Sequence, residues 1–309
     1  MSTMADRDGE IWMDGKWMPW RDANIHVLTH TLHYGMGAFE GIRAYDTSEG
    51  PAIFRLEEHT DRFYRSAHIL GMKIDYDKET LLQAQKESLI RNKLSSGYIR
   101  PICFYGSEGM GLRADNLKTH VAVAAWPWGA YLGQEALEKG IRIKISSFSR
   151  HHVNVALCRA KATGHYINSI LALQEAIRDG YDEALLLDTQ GFVAEGSGEN
   201  FFMVRNGKLI TPTLTSCLEG ITRESIMQIA KDLDIEVVET QVTRDDVYTC
   251  DECFFTGTAA EVTAIRELDG RQIGTGKMGA VTRQIQEIFF AAVHGKVEKY
   301  KHWLTLVAD

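Results

Sequence analysis

The 309-residue sequence predicts a fold in two parts, of α/β or mixed α+β class. Three observations carry this expectation. Strand-like and helix-like patterns alternate along the chain, tight-turn dipeptides mark hairpins, and a glycine-bounded stretch near residue 133 separates two halves with their own apolar patterns. The expected parts are 1–133, a smaller α/β domain, and 134–309, a larger one.

From the N-terminus, "IWMDGKWMPW" alternates around a DG turn and reads as short paired strands. "PAIFRLEEH" is a strand entering a helix. On that helix Phe63, Ala67 and Leu70 recur on one face, which turns Arg62 and Ser66 to a neighbouring one. A second helix covers about Lys78 to Asn92, and "GYIRPICFYG" and "THVAVAAWPW" read as buried strands. "GAYLGQEALEKG" is the expected interdomain crossing. Beyond it come the strand "IRIKISSFSR", a turn-like segment around Lys161 and a helix through "INSILALQEAI". The strands "EALLLD", "GFVAEGS" and "NFFMVRNGKLITP" follow, the last folded at Asn206–Gly207. Helices near 221–233 and 280–294 flank "CFFTGTAAEVTAI".

Composition narrows the function classes. Apolar residues at 44% and charged residues at 25% are ordinary for a globular chain, and the net charge of -8 argues against a broad nucleic-acid surface. No apolar run reaches transmembrane length, and "MSTMADRDGE" does not read as a signal peptide, so no membrane partner is expected. The five cysteines are an odd number without export signals, which fits a reducing, cytoplasmic setting. Cys250 and Cys253 in "CDEC" lack a second pair and are expected to be buried or half-buried thiols. His151 and His152 have no metal-ligand spacing around them, and no metal site is expected.

No GxGxxG is read as opening a strand–turn–helix, and there is no GxxxxGK[ST], so neither standard nucleotide fingerprint is expected. Two small-residue turns, "CLEGITRES" (217–225) and "FFTGTAAEV" (254–262), each offer backbone N–H groups and a hydroxyl that suit a phosphate. Simple helix capping by Thr222 or Thr258 is the alternative. In "SRHHVNVALCRAKATGHYINS" (149–169), Lys161 stands at the threshold of a helix. A lysine near a phosphate site can lose its proton and condense with an aldehyde. "VAEGSGENFF" supplies Glu195 and Glu199, either of which could face a pyridine nitrogen or lie on the surface. Lysine, phosphate cup and carboxylate are the parts that pyridoxal phosphate requires.

Seven segments, "LHYGMGAFEGIRAY", "YIRPICFYGSEGMGL", "AAWPWGAYLG", "RAKATGHYINS", "VAEGSGENFF", "LEGITR" and "FFTGTAAEVT", together resemble the branched-chain amino acid aminotransferases. That family has the D-amino acid aminotransferase-like fold (fold type IV) of pyridoxal phosphate enzymes, and the resemblance runs from about residue 9 to beyond 300. It implies that Lys161 bonds the cofactor and carries the proton, that Glu195 pairs with the pyridine nitrogen and Tyr166 with the ring oxygen. It implies that Arg62, Ile221, Thr222 and Thr258 hold the phosphate. The substrate side would be lined by Phe39, Gly41, Tyr98, Arg100, Tyr131, Thr258 and Ala259. Tyr34, with the Met110–Leu112 stretch, would reach in from a neighbouring subunit of a homodimer, assembled further into a homohexamer. Glu219 stands where several family members carry proline, and its side chain is expected to point away from the phosphate.

The implied activity is reversible ping-pong transfer of an amino group from L-leucine, L-isoleucine or L-valine to 2-oxoglutarate, giving branched 2-oxo acids and L-glutamate. Pyridoxamine 5'-phosphate is the alternate cofactor form. Phe39, Tyr98 and Tyr131 suit an aliphatic side chain and Arg100 a carboxylate. Read without the resemblance, these are core aromatics and an ion pair within the sheet. A D-amino acid aminotransferase, a 4-amino-4-deoxychorismate lyase and a cofactor-binding scaffold without turnover are the competing readings.

Overall fold

The computed structural model describes residues 3–129 and 133–307, divided into two units. The first holds the described residues up to Gly129 together with Ala160–Gly164 and the stretch from Ala292 onward, and the second holds the rest. Against the single boundary expected near residue 133, the chain changes unit at 129/130, 159/160, 164/165 and 291/292. Local pairing explains the two returns: Ala162 bridges Ala38, and the terminal strand Leu304–Leu306 pairs with Gly50–Phe54. Lys161 therefore belongs to the first unit and not to the larger second one. Tyr131 lies outside the described residues.

The first unit opens with β1 (Glu10–Met13) and β2 (Lys16–Pro19). Asp14 and Gly15 between them take φ of 50° and 85°, as the DG dipeptide requires. There follow α1 (His30–Tyr34), β3 (Gly37–Phe39), β4 (Ile42–Thr47), β5 (Gly50–Phe54), α2 (Leu56–Ile69), α3 (Lys78–Arg91), β6 (Gly97–Tyr105) and β7 (Thr119–Trp126). The sheet order is Leu304–Leu306, β5, β4, β6, β7, β1, β2, with β3 also on β6. Phe63 and Ala67 of α2 and Leu81, Ala84 and Leu89 of α3 pack with Ile42, Ile99, Val121 and Val123 of the sheet. Asp77 caps α3 by accepting the Thr80 N–H at 2.8 Å. On α2 the neighbouring face is buried as well: His59, Arg62 and Ser66, spaced i, i+3, i+7, are all inside.

The second unit comprises α4 (Gln134–Lys139), β8 (Ile141–Ile145), α5 (Val153–Ala156), α6 (Tyr166–Arg178), β9 (Glu183–Leu187), β10 (Val193–Gly196), β11 (Asn200–Arg205) and β12 (Lys208–Pro212). It continues with α7 (Ile221–Asp232), β13 (Val237–Thr240), α8 (Arg244–Tyr248), β14 (Glu252–Gly257), β15 (Glu261–Leu268), β16 (Arg271–Gln272) and α9 (Ala280–Val293), which leaves the unit at Ala291. Asn206 and Gly207, at φ of 51° and 73°, turn β11 into β12 with Arg205 opposite Lys208. The sheet runs β10, β9, β8, β15, β14, β11, β12, β13, and β10 also pairs with β11, so its first six strands close a ring. The closing pair is Glu195 opposite Asn200. Phe201 and Phe255 meet edge to face, 6.2 Å between centroids, in a core with Ile143, Leu185, Val247 and Leu268. Among the described residues no helix is long and apolar enough to cross a membrane.

Candidate active site

In the first unit the segment carrying Lys161 is pinned from both sides. Its N–H donates to Ser66 Oγ at 3.0 Å and its carbonyl accepts the Phe39 N–H at 3.1 Å. Thr163 Oγ1 and the Gly164 N–H both donate to the Gly35 carbonyl, at 2.6 and 3.0 Å. Gly35 has φ of 71°, and a Cβ built there would lie 3.1 Å from Gly164 Cα, so this close backbone crossing favours glycine on both strands. The backbone of Lys161 is thus fixed while its half-buried side chain places Nζ 5.1 Å from the Phe39 ring centroid.

Beside it lies a buried ionic cluster that the sequence reading missed in part. Arg62 Nε and Nη2 donate to Glu40 Oε1 and Oε2 at 2.7 and 2.9 Å, and His59 Nδ1 is 2.8 Å from Oε2. Burial pushes the Glu40 carboxyl up, but Arg62 and the His59 bond outweigh this and hold it well below the usual carboxylate range. Burial pushes His59 down, against Glu40, with the charges of Arg62 and Lys161 adding to the fall. His59 is therefore the neutral tautomer that donates from Nδ1, and its buried Nε2 has no partner among the described residues. The polar stripe His59, Arg62, Ser66 on an otherwise amphipathic helix is the signal that would have found it.

Strand register gathers a third group. Trp126 stands opposite Tyr98, Arg100 lies two residues along β6, and Phe39 stands opposite Ile102, so all four side chains share one face. The Arg100 guanidinium carbon is 4.6 Å from the Phe39 centroid, 5.3 Å from that of Tyr98 and 5.9 Å from that of Trp126. Its polar contact is a long one, Nη2 to Tyr98 Oη at 3.4 Å, and no carboxylate pairs with it among the described residues. The ion pair within the sheet is thus not what the structure contains. Gly41 makes room for this arrangement, because a Cβ there would meet Tyr98 Oη at 1.8 Å. Tyr34 lies elsewhere in the unit. It is exposed on α1 and accepts the Gly111 N–H at 3.2 Å, and Met110 and Leu112 on either side of Gly111 are exposed as well.

In the second unit Glu195, not Glu199, is the carboxylate held at the ring closure. Its Oε1 accepts from Arg150 Nε at 2.7 Å, and its Oε2 accepts from the Leu218 N–H at 3.0 Å and Asn200 Nδ2 at 3.5 Å. Arg150, a residue the sequence did not single out, is fixed in turn by Asn168 and Ser169 of α6 at 3.2 and 3.1 Å. Burial pushes Arg150 down, but Glu195 and the nearby Tyr166 outweigh it and raise it, so the guanidinium stays charged. Tyr166 begins α6 and is half-buried. Glu199 is buried too, accepting the Gly198 N–H at 3.0 Å.

Capping by Thr222 does not occur. Gly220 is the N-cap of α7, with no side-chain cap, and the buried first-turn N–H groups of Ile221, Thr222 and Arg223 have no acceptor among the described residues. Buried, uncapped amides at the positive end of a helix dipole are suited to an anion. A Cβ at Gly220 would lie 1.9 Å from Asn200 Oδ1, and Asn200 also donates to the Leu218 carbonyl at 2.9 Å, tying this turn to Glu195. Capping by Thr258 is likewise corrected: Thr258 and Ala259 form the half-buried turn between β14 and β15, with Gly257 opposite Glu261, and no helix follows. Helix α7 packs on β14. The five cysteines are all buried and free.

Each unit thus displays one part of a chemistry: an amine and two guanidinium groups in the first, a fixed carboxylate and an anion-seeking helix end in the second. The chain is 59% identical over 305 residues to the branched-chain-amino-acid aminotransferase of Pseudomonas aeruginosa, covering 99% of each, and 46% identical over 299 residues to that of Escherichia coli, covering 96% and 97%. A solved branched-chain amino acid aminotransferase from T.th., crystallised with pyridoxamine 5'-phosphate, superposes with a TM-score of 0.95 at 50% identity, over 97% of this chain and 99% of that one. The family profile described as amino-transferase class IV matches residues 37–268, and the chain belongs to that family, with the fold type IV architecture of its structural neighbours.

Proposed function

We propose that the protein is a pyridoxal-phosphate-dependent branched-chain amino acid aminotransferase, moving the amino group of L-leucine, L-isoleucine or L-valine to 2-oxoglutarate in two half-reactions. The observation that carries the substrate reading is Arg100: a guanidinium without a carboxylate partner among the described residues, among three aromatic rings. Such a group meets a carboxylate when glutamate or 2-oxoglutarate arrives. When a branched side chain arrives instead, the rings offer it apolar surface and cover the charge.

The residues fit the cofactor. The orphan amides of Ile221, Thr222 and Arg223 suit its phosphate, together with Thr258 and with Arg62, whose orientation Glu40 sets. Bound pyridoxal 5'-phosphate supplies an aldehyde and an electron-withdrawing ring that accepts the electron pair left at Cα. Lys161 Nζ would hold that aldehyde and carry the Cα proton, and its backbone is clamped by Ser66 and Phe39 so that the side chain is the part free to move. Glu195 would hold a proton on the ring nitrogen, and Arg150 keeps Glu195 in place. Tyr166 would donate to the ring oxygen. Phe39, Gly41, Tyr98, Tyr131 and Ala259 line the substrate side, and Tyr34 with Met110–Leu112 serves a partner's site in a homodimer, assembled as a homohexamer in the cytoplasm.

The test is a single turnover of cofactor-loaded protein without any oxo acid. L-Leucine is expected to bleach the visible band of lysine-bound cofactor and yield 4-methyl-2-oxopentanoate. Bleaching by D-alanine alone would overturn the substrate class, pyruvate release from aminodeoxychorismate would make it a lyase, and no amino transfer at full occupancy would make it a scaffold.

A further inference from the structure

We propose that Trp126 is a specificity-determining residue whose indole N–H binds the distal carboxylate of the dicarboxylic substrate jointly with Arg100; this rests on the proposed function and deepens its acceptor side. The face that carries Phe39, Tyr98, Arg100 and Trp126 has a surplus of donors. Arg100 Nε and Trp126 Nε1 are both buried, and neither has an acceptor among the described residues. Trp126 is only 9% exposed, so bulk water does not readily supply the missing partner. The two side chains are neighbours, with the guanidinium carbon 5.9 Å from the indole centroid, and both pack on the Tyr98 ring.

The chemistry of the surplus selects the ligand. Both orphans are N–H donors, and the polar oxygen beside them, Tyr98 Oη, is already in contact with Arg100 at 3.4 Å. A ligand amine would add further donors, and an aliphatic side chain would leave both groups unsatisfied. A carboxylate has two oxygens and about four acceptor directions, and so accepts from a guanidinium and an indole together. Strand register fixes the indole: Trp126 stands opposite Tyr98 in the ladder and cannot turn to the other face of the sheet without a register shift. The same ring presents an apolar face to a branched side chain, so the position tells the substrates apart through its N–H.

The experiment replaces the N–H and keeps a ring. In the W126F holoenzyme the ratio of kcat/KM for 2-oxoglutarate to that for 4-methyl-2-oxopentanoate is expected to fall about ten- to a hundredfold. An unchanged ratio, or equal losses for both oxo acids, would overturn the proposal. The unmutated holoenzyme gives an independent answer should W126F fold poorly. With nitrogen-15-labelled indoles, glutarate is expected to move the Trp126 N–H resonance downfield and 4-methylpentanoate is not. The signal is assigned by elimination from Trp→Phe variants at the other five tryptophans. A resonance indifferent to glutarate sinks the idea. Failure of both half-reactions in wild-type protein would instead strike the proposed function, while the glutarate spectrum still judges Trp126.

Discussion

The two units hold their functional groups by opposite means. In the first, side chains hold side chains: Glu40 grips Arg62 and His59, and Phe39, Tyr98 and Trp126 surround Arg100. In the second, backbone and sheet closure do much of the holding: Glu195 sits on the strand pair that closes the ring, accepts a main-chain N–H, and precedes a helix whose free amides form the other feature. The groups proposed to move, Lys161 as proton carrier and Arg100 as the partner of two kinds of substrate, sit where rotamers can respond. Groups that supply a constant field sit on rigid backbone.

Substitutions sharpen that contrast, and the largest effect is expected at the moving group. Lys161→Ala should lower transamination by about 10⁴-fold or more and remove the visible band of lysine-bound cofactor, measured by stopped-flow absorbance. In the fixed half, Glu195→Gln should lower kcat by about 10²–10³-fold while cofactor affinity, read by equilibrium dialysis, changes far less. If affinity falls as steeply as kcat, Glu195 anchors more than it polarises.

Glu40→Gln should destabilise the first unit by about 3–5 kcal/mol in urea titrations, since it leaves Arg62 buried without its counter-charge. The pH dependence has a definite sign. The folded-state pKa of Glu40 is depressed, so its stabilisation is complete above an unfolded value of about 4.3 and declines as pH falls below it. Glu40→Gln removes that acid-side slope. Gly220→Ala, which drives a methyl into Asn200, should weaken cofactor binding about tenfold through the turn below α7.

The smallest effect is expected at Glu183, whose carboxyl meets Ser197, two residues beyond Glu195. Burial pushes its carboxyl up to about 7, and its Oε2 is unpartnered among the described residues. The unfolded chain releases this proton near pH 4.3 while the folded one keeps it, so stability falls as pH rises from about 4 to about 7. Glu183→Gln should flatten that fall and gain on the order of 1 kcal/mol at pH 8, checked by unfolding at several pH values.

Much of the fold was legible because its signals are local. Asp14–Gly15 and Asn206–Gly207 turned where their φ preferences demand, and the apolar face of α2 appeared at Phe63 and Ala67. Thr222 and Thr258 show the limit: a hydroxyl beside a glycine reads the same whether it caps a helix, bounds an uncapped one or sits in a hairpin turn. The return of 160–164 to the first unit rests on a contact between Gly35 and Gly164, more than a hundred residues apart, and no periodicity records it. Glu40 and Arg150 escaped notice for a related reason. A buried ion pair is a property of two distant positions, and either alone looks like a surface charge.

The scattered make-up of the first unit also has a consequence for synthesis. Most of the second unit is one uninterrupted stretch, His165–Ala291, whereas the first needs three stretches, of which the last supplies a sheet strand at Leu304–Leu306. During translation the N-terminal sheet must therefore wait, first for the five residues that carry Lys161 and then for its final strand. Until that strand emerges, β5 presents a raw hydrogen-bonding border to which other nascent chains can add. Chains halted before residue 292 are the ones that would recruit holding chaperones, through β5, although the stretch that closes the second unit has already been made.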